Sequence, residues 1–237
     1  MRLQHAPLSA IFALPKCLAM PSPTVENYVK EIFLAQQKLG TGSVPMGVVA
    51  KALEVTPGTA TAMLKSLAQS GLADYEPRRG ARLSDKGRRL ALKMIRKHRI
   101  IELYLVEQLG LDWSAVHIEA ERMEHAISER VLERMDSRLG HPKVDPHGDP
   151  IPSAEGELDE RVLCTLADCP CGIDYSIARV GDQSADFLQY LDERGLHPGA
   201  SLNVASRNLA SDAVTLSTAE GRSVTMGMKA AEKIYVQ

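Results

Sequence analysis

Apolar residues at Val25, Val29, Ile32, Phe33 and Leu39 recur at helical spacing behind Ser22-Pro23, and Gly40 stops the run. The first predicted element is therefore a capped helix. A second, short helix is predicted from about Pro45 to Leu53, with Met46, Val49 and Leu53 facing inward. Thr56-Pro57 caps a third, whose Met63, Leu64 and Leu67 form one stripe before Gly71. The tight Glu54-Val55-Thr56 connection gives the second and third helices the proportions of a helix-turn-helix. Leu72 to Glu76 and Ala81 to Leu83 then read as strands joined across Pro77-Arg78-Arg79-Gly80, a wing.

Ser84-Asp85 caps a long helix reaching about Leu109 and Gly110, and one continuous helix is predicted from about Ser114 to Leu139. Gly140-His141-Pro142 ends it, and the segment from Pro146 to Pro152 makes a stiff, proline-rich connector. Beyond residue 160 the pattern shortens to Ile177 to Val180, Leu202 to Ala205, Val214 to Ser217, Ser223 to Met226 and Ile234 to Val236, with a short helix from about Ser184 to Glu193. Such short strands suggest a small SH3-like β-barrel. The fold class is α+β: an N-terminal winged helix-turn-helix, a helical middle segment and a C-terminal SH3-like β-barrel.

Composition changes this picture little. The 237 residues are 44% hydrophobic but only 4% aromatic, which favours helices packed with Leu, Val, Ala and Met. No apolar run reaches the roughly 18 residues that span a bilayer. The stretch from Pro7 to Met20 lacks the charged start and cleavage site of a signal peptide, so no membrane partner and a cytoplasmic location are expected. Residues Met1 to Ala19 match nothing that follows; they are a disordered leader, or the true start is Met20. Cys17, Cys164, Cys169 and Cys171 are too few and too uneven for a disulfide framework, and Cys169-Pro170-Cys171 lacks zinc-knuckle spacing, which favours a structural role.

Charge changes it more. The net charge of −2 taken alone argues against nucleic acid, yet from Thr56 to Ile100 eleven basic residues face three acids. From Ile101 to Glu160 fifteen acids face five bases. One surface suits phosphates and another cations. Thr56, Gly58, Thr59 and Thr61 on the third helix and Arg78 and Arg79 at the wing tip are small and polar or cationic, suited to groove and phosphate contact. The plainer alternative is an ordinary capped helix and a solvated hairpin.

Within the acidic stretch, His117, Glu121 and His125 are successive i, i+4 neighbours and Glu124 lies beside Glu121, so two imidazoles and two carboxylates share one helix face. His98 and Glu102 form another such pair in the preceding helix, and antiparallel packing would join the clusters. Crowded carboxylates repel unless a divalent cation sits among them, and oxygen and nitrogen donors without thiolate suit manganese or ferrous iron. The competing readings are a solvated acidic helix face and a helix-bundle metalloenzyme using Glu121, Glu124 and His125. Against the enzyme stands the absence of any His-Glu-x-x-His or His-x-x-Glu-His pattern. A third reading, a peptide-binding barrel, meets only Tyr175, Phe187, Tyr190 and Tyr235 where an aromatic groove is needed.

Four motifs in order, Glu26-Asn27-Tyr28, Val55-Thr56-Pro57, Arg96-Lys97-His98-Arg99 and Glu121-Arg122-Met123-Glu124-His125, resemble the iron- or manganese-dependent repressors typified by the diphtheria toxin repressor and the manganese transport regulator. The resemblance runs from about Pro21 to Val236 and includes the proline-rich connector. It implies a principal metal site of Asn27, Glu121, Glu124 and His125, and an ancillary site of His98, Glu102 and His117. Iron sensors of this kind commonly have cysteine at the position of Glu121, so Mn2+ is favoured, with Fe2+ as the alternative. Asn27 departs from the methionine or aspartate of the family, and Lys30 stands where some manganese sensors have a glutamate ligand, which disfavours a second cation there. Asp182 and Gln183 lie where the barrel can donate ligands in long members. The resemblance also implies a homodimer on palindromic double-stranded operator DNA. The expected division is a leader at 1–20, a winged helix-turn-helix at 21–90, a helical dimerisation and metal-binding domain at 91–142, a linker at 143–160 and an SH3-like (FeoA-like) domain at 161–237.

Overall fold

A computed structural model describes residues 21–159 and 161–237, so the leader, with Cys17, lies outside the described residues. Helix α1 (Pro23–Leu39) starts where the Ser22 hydroxyl accepts from Val25 N–H and ends on left-handed Gly40. Helices α2 (Met46–Ala52) and α3 (Pro57–Gln69) follow, the latter capped by Thr56, whose Oγ1 accepts from Thr59 N–H at 3.2 Å. Strands β1 (Ala73–Glu76) and β2 (Gly80–Leu83) pair antiparallel, and Val44 bridges to Ala81. Gly80 has φ 101°, and a Cβ there would stand 2.2 Å from the Val44 carbonyl oxygen, so glycine is required where wing and bridge meet. Val29, Ile32, Phe33, Leu64, Leu67, Leu72 and Leu83 close this first core.

Helix α4 (Asp85–Leu109) is 25 residues long, and Ser84 caps it. Its first half, through Ala91, Leu92 and Ile95, belongs to the core of the winged unit. Its second half packs Ile101 and Leu105 against Val116 and Ala120, and Ile100 and Leu103 against Leu132 and Ile151. The division drawn between residues 90 and 91 therefore passes through one rigid helix.

The continuous helix expected from Ser114 to Leu139 is two helices, α5 (Val116–Met123) and α6 (Glu129–Arg138). The break has a local cause: the Ser128 hydroxyl accepts from Val131 N–H at 3.4 Å, and Glu129 in the first turn favours a new start there. Glu124 and His125 consequently stand at the end of α5 rather than inside a longer rod.

The segment expected as a linker is packed on both sides. Ile151 is buried, Arg96 and Arg99 donate to the carbonyls of Pro152 and Pro150, and Val180 N–H donates to His147 O at 2.8 Å. A Cβ on Gly148, at φ 86°, would lie 2.0 Å from Ala178 O.

Strands β3 (Cys164–Thr165), β4 (Asp174–Val180), β5 (Ser201–Asn208), β6 (Ala213–Thr218), β7 (Ser223–Gly227) and β8 (Ile234–Val236) form an antiparallel sheet in the order β3-β8-β4-β5-β6-β7. Helices α7 (Ala185–Asp192) and α8 (Met228–Ala231) complete this unit. Its core includes Trp113, contributed by the loop between α4 and α5, whose ring stacks on His147 at 5.7 Å between centroids. No helix among the described residues is long and apolar enough to cross a membrane.

Candidate metal centre

The antiparallel passage of α4 and α5 places His98 against Glu124 and Glu102 against His117. His98 Nδ1 stands 2.6 Å from Glu124 Oε2, and its Nε2 stands 2.9 Å from Glu102 Oε1. His117 Nδ1 lies 3.2 Å from the same Glu102 oxygen and 3.1 Å from His98 Nε2. Donor atoms of His98, His117 and Glu121 all lie within 4.8 Å of one another. Burial pushes the His98 pKa down, but the hydrogen bonds to Glu102 and Glu124 outweigh it and raise the pKa to about 9. Burial likewise pushes Glu102 up, yet hydrogen bonds from His117 and His98 hold its carboxyl far below the usual range. The pair is thus an imidazolium held between two carboxylates.

Helix α1 brings three more groups. Lys30 Nζ contacts Glu121 Oε1 at 2.6 Å and Glu124 Oε1 at 2.7 Å. Glu26 Oε2 lies 2.7 Å from His125 Nδ1, which leaves His125 Nε2 turned 3.6 Å from Glu124 Oε1. That Nε2 and the Asn27 Oδ1 are buried and engaged in no hydrogen bond. The orphaned His125 nitrogen beside the buried Glu124 carboxylate, and the orphaned Asn27 oxygen on α1, are costly unless a cation or donor serves them, so the residues fit a divalent ion. Oxygen and imidazole donors suit Mn2+ or Fe2+.

A second donor group lies deeper: Glu102, Asp145 and His147, all buried, with ligand atoms within 4.8 Å of one another. His147 Nε2 is hydrogen-bonded to Trp113 O at 3.0 Å, while His147 Nδ1 and Asp145 Oδ2 are buried without hydrogen-bond partners. Burial, with Asp149 and Glu102 nearby, pushes the Asp145 carboxyl well up despite Arg99 at 3.7 Å. Asp182 accepts from Lys233 at 2.6 Å, and Gln183 donates at 2.7 Å to Asp149, whose N–H in turn donates to Asp145.

On helix α3 and at its cap, Thr56, Gly58 and Thr59 are exposed and Thr61 is half-buried, its hydroxyl spent on the Pro57 carbonyl. Thr56 is likewise occupied as the helix cap. The exposed face of α3 continues through Lys65, Ser66 and Gln69, which the small-polar criterion passed over. Arg78, at φ 70°, holds the left-handed corner of the wing turn, where Arg79 N–H donates to Glu76 O. An arginine there carries strain that glycine or asparagine would avoid.

Residues 20–81 match the profile of the iron dependent repressor N-terminal DNA binding domain, residues 84–153 the iron dependent repressor metal binding and dimerisation domain, and residues 164–237 the FeoA domain. The iron-dependent repressor IdeR of Mycobacterium tuberculosis is 31% identical over 196 residues, covering 76% of this chain and 83% of that protein. This chain belongs to the iron-dependent repressor family. Among solved structures, a manganese-dependent transcriptional repressor in complex with manganese superposes with a TM-score of 0.81 at 36% identity, over 90% of this chain and 98% of that one. ScaR with bound Zn2+ gives 0.73 at 33%, over 92% and 99%. The repressor is a DNA-binding regulator of transcription, and the metalloenzyme reading is set aside.

Sequence reasoning passed over Glu26, Asp145 and His147. Glu26 stood in plain view, next to Asn27, and Asp145 and His147 in the connector, but nothing in their spacing pairs them with residues far along the chain.

Proposed function

We propose that this repressor binds a palindromic operator as a homodimer when Mn2+, or alternatively Fe2+, occupies a principal site of Asn27, Glu121, Glu124 and His125. The observation that carries the reading is the distribution of the donors. Asn27 comes from α1 of the winged unit, whereas Glu121, Glu124 and His125 come from α5 and its end. A divalent ion between α1 and the end of α5 would supply the positive charge that the orphaned Asn27 and His125 acceptors and the nearby carboxylates call for. The arrangement in which α1 and α5 meet is then favoured over looser ones, and operator affinity rises with metal by linkage. Glu26 orients His125 through Nδ1, leaving Nε2 free to ligate.

The ancillary position would comprise His98, Glu102 and His117, whose imidazoles lie 2.9 and 3.2 Å from the same Glu102 oxygen, with Asp145 and His147 as further donors around Glu102. It would tie α4 to the connector, and through the His147 carbonyl to β4. Thr56, Gly58, Thr59 and Thr61, with Lys65 and Ser66 beside them, would face the major groove, and Arg78 and Arg79 the phosphates. In this reading residues 21–90 carry DNA binding, 91–142 metal binding and dimerisation, and 161–237 the SH3-like domain, with 143–160 joining them.

The test is fluorescence anisotropy of operator DNA, selected by the protein from a random pool, titrated with Mn2+ or with Fe2+ under anaerobic conditions. Glu121→Ala and His125→Ala should abolish metal-dependent binding while circular dichroism stays native. Full metal activation in either variant would show that the principal site is wrongly assigned.

A further inference from the structure

Lys30 is a charged side chain only 5% exposed, and it lies inside the centre rather than beside it. Its ammonium touches Glu121 and Glu124 at 2.6 and 2.7 Å, and Glu124, at 0% exposure, is the most enclosed carboxylate of the group. Each of these glutamates belongs to the donor set of the proposed metal site. Lys30 sits on α1 one turn beyond Glu26 and Asn27, so it joins the same two elements that a metal ion would join.

We propose that Lys30 is a tethered cation of the metal centre: it holds α1 against α5 without any metal ion and competes with the ion for Glu121 and Glu124. The inference rests on the metal-activated reading above. Two consequences oppose each other. A fixed positive charge among the ligands repels a divalent ion and weakens its binding. The same charge pre-assembles the inter-element contact, so part of the operator affinity is present at zero metal. Lys30 therefore sets both the metal concentration at which the repressor responds and the range over which it responds.

Lys30→Gln removes the charge but keeps two N–H donors for the carboxylates, and Lys30→Arg keeps the charge. With chelator present, Lys30→Gln should bind selected operator about tenfold more weakly than wild type, and it should bind Mn2+ alone about tenfold more tightly by calorimetry. Lys30→Arg should stay within about threefold of wild type in both. Unchanged operator affinity in chelator, or unchanged or weaker Mn2+ binding by Lys30→Gln, overturns the inference. A measurement on wild type guards against a variant that does not fold: amine-reactive ester labelling in chelator, read by mass spectrometry, should spare Lys30 while exposed Lys38 and Lys51 react. Labelling of Lys30 at their rate overturns it too. Wild type that shows no metal response refutes the proposed function itself. Wild type that responds while Lys30→Gln matches it refutes only the role of Lys30.

Discussion

Replacing Glu26 with glutamine isolates one atom-level step. The Glu26 carboxylate meets His125 Nδ1 at 2.7 Å, with the two side chains 15% and 17% exposed, so the pair is largely desolvated. A charge-assisted hydrogen bond in such surroundings contributes about 1.5–3 kcal/mol, and a neutral amide in its place about 1 kcal/mol. The difference, roughly 1.5 kcal/mol, corresponds to about tenfold in metal affinity, at the lower end of what outer-shell partners of ligating histidines usually control. Glu26 also sits in the first turn of α1, where its charge adds up to about 1 kcal/mol of helix stability. Glu26→Gln should therefore move the Mn2+ midpoint of operator binding about tenfold higher while leaving affinity at saturating Mn2+ unchanged and lowering the melting temperature slightly. A midpoint equal to that of wild type would refute the argument that Glu26 directs His125 towards a metal ion.

Three further outcomes follow from other parts of the molecule. Arg78→Ala with Arg79→Ala should weaken binding to every DNA sequence and reduce the slope of log affinity against log salt by about two; an unchanged slope removes both residues from the phosphate contacts. Gly148→Ala forces a Cβ to 2.0 Å from Ala178 O, so the connector should part from β4. Limited proteolysis should then cut between residues 143 and 160 at protease levels that wild type resists, and equal resistance would count against the tight contact. His98, with its pKa raised to about 9, contributes stability that is complete below its unfolded value of about 6.5 and is lost as pH rises through 9. In chelator the melting temperature should fall across that window by more in wild type than in His98→Gln, and parallel curves would contradict the imidazolium between Glu102 and Glu124.

Helices α1, α3 and α4 were legible because each begins at a hydroxyl that caps it, at Ser22, Thr56 and Ser84, and each hydroxyl accepts from the N–H three residues on. The same signal stands at Ser128, but the apolar positions continue in helical step across it. Periodicity therefore masks the break that the Ser128 cap makes. Strand β3 has two residues and helix α8 four, too few for any period to show. The grouping of His98, Glu102, His117, Glu121 and Glu124 was legible because i, i+4 spacing places side chains on one face before any tertiary contact is known. The pairing of Glu26 with His125 spans 99 residues, and the burial of Asp145 and His147 depends on Trp113 entering the barrel core. Contacts of that kind depend on how separate units pack, and the spacing of residues along the chain carries no trace of them.

The 25 residues of α4 make a strut about 37 Å long, packed into the winged unit along its first half and carrying Glu102 about 26 Å from its start. A tilt of about 7° about Glu102 swings the wing end through about 3 Å, close to the rise of one base step along DNA, about 3.4 Å. In the proposed homodimer, a change of that size would be enough to bring the two recognition helices in or out of step with successive grooves. On that reading the helix would act as a lever, with short strokes at the ions and long strokes at the operator.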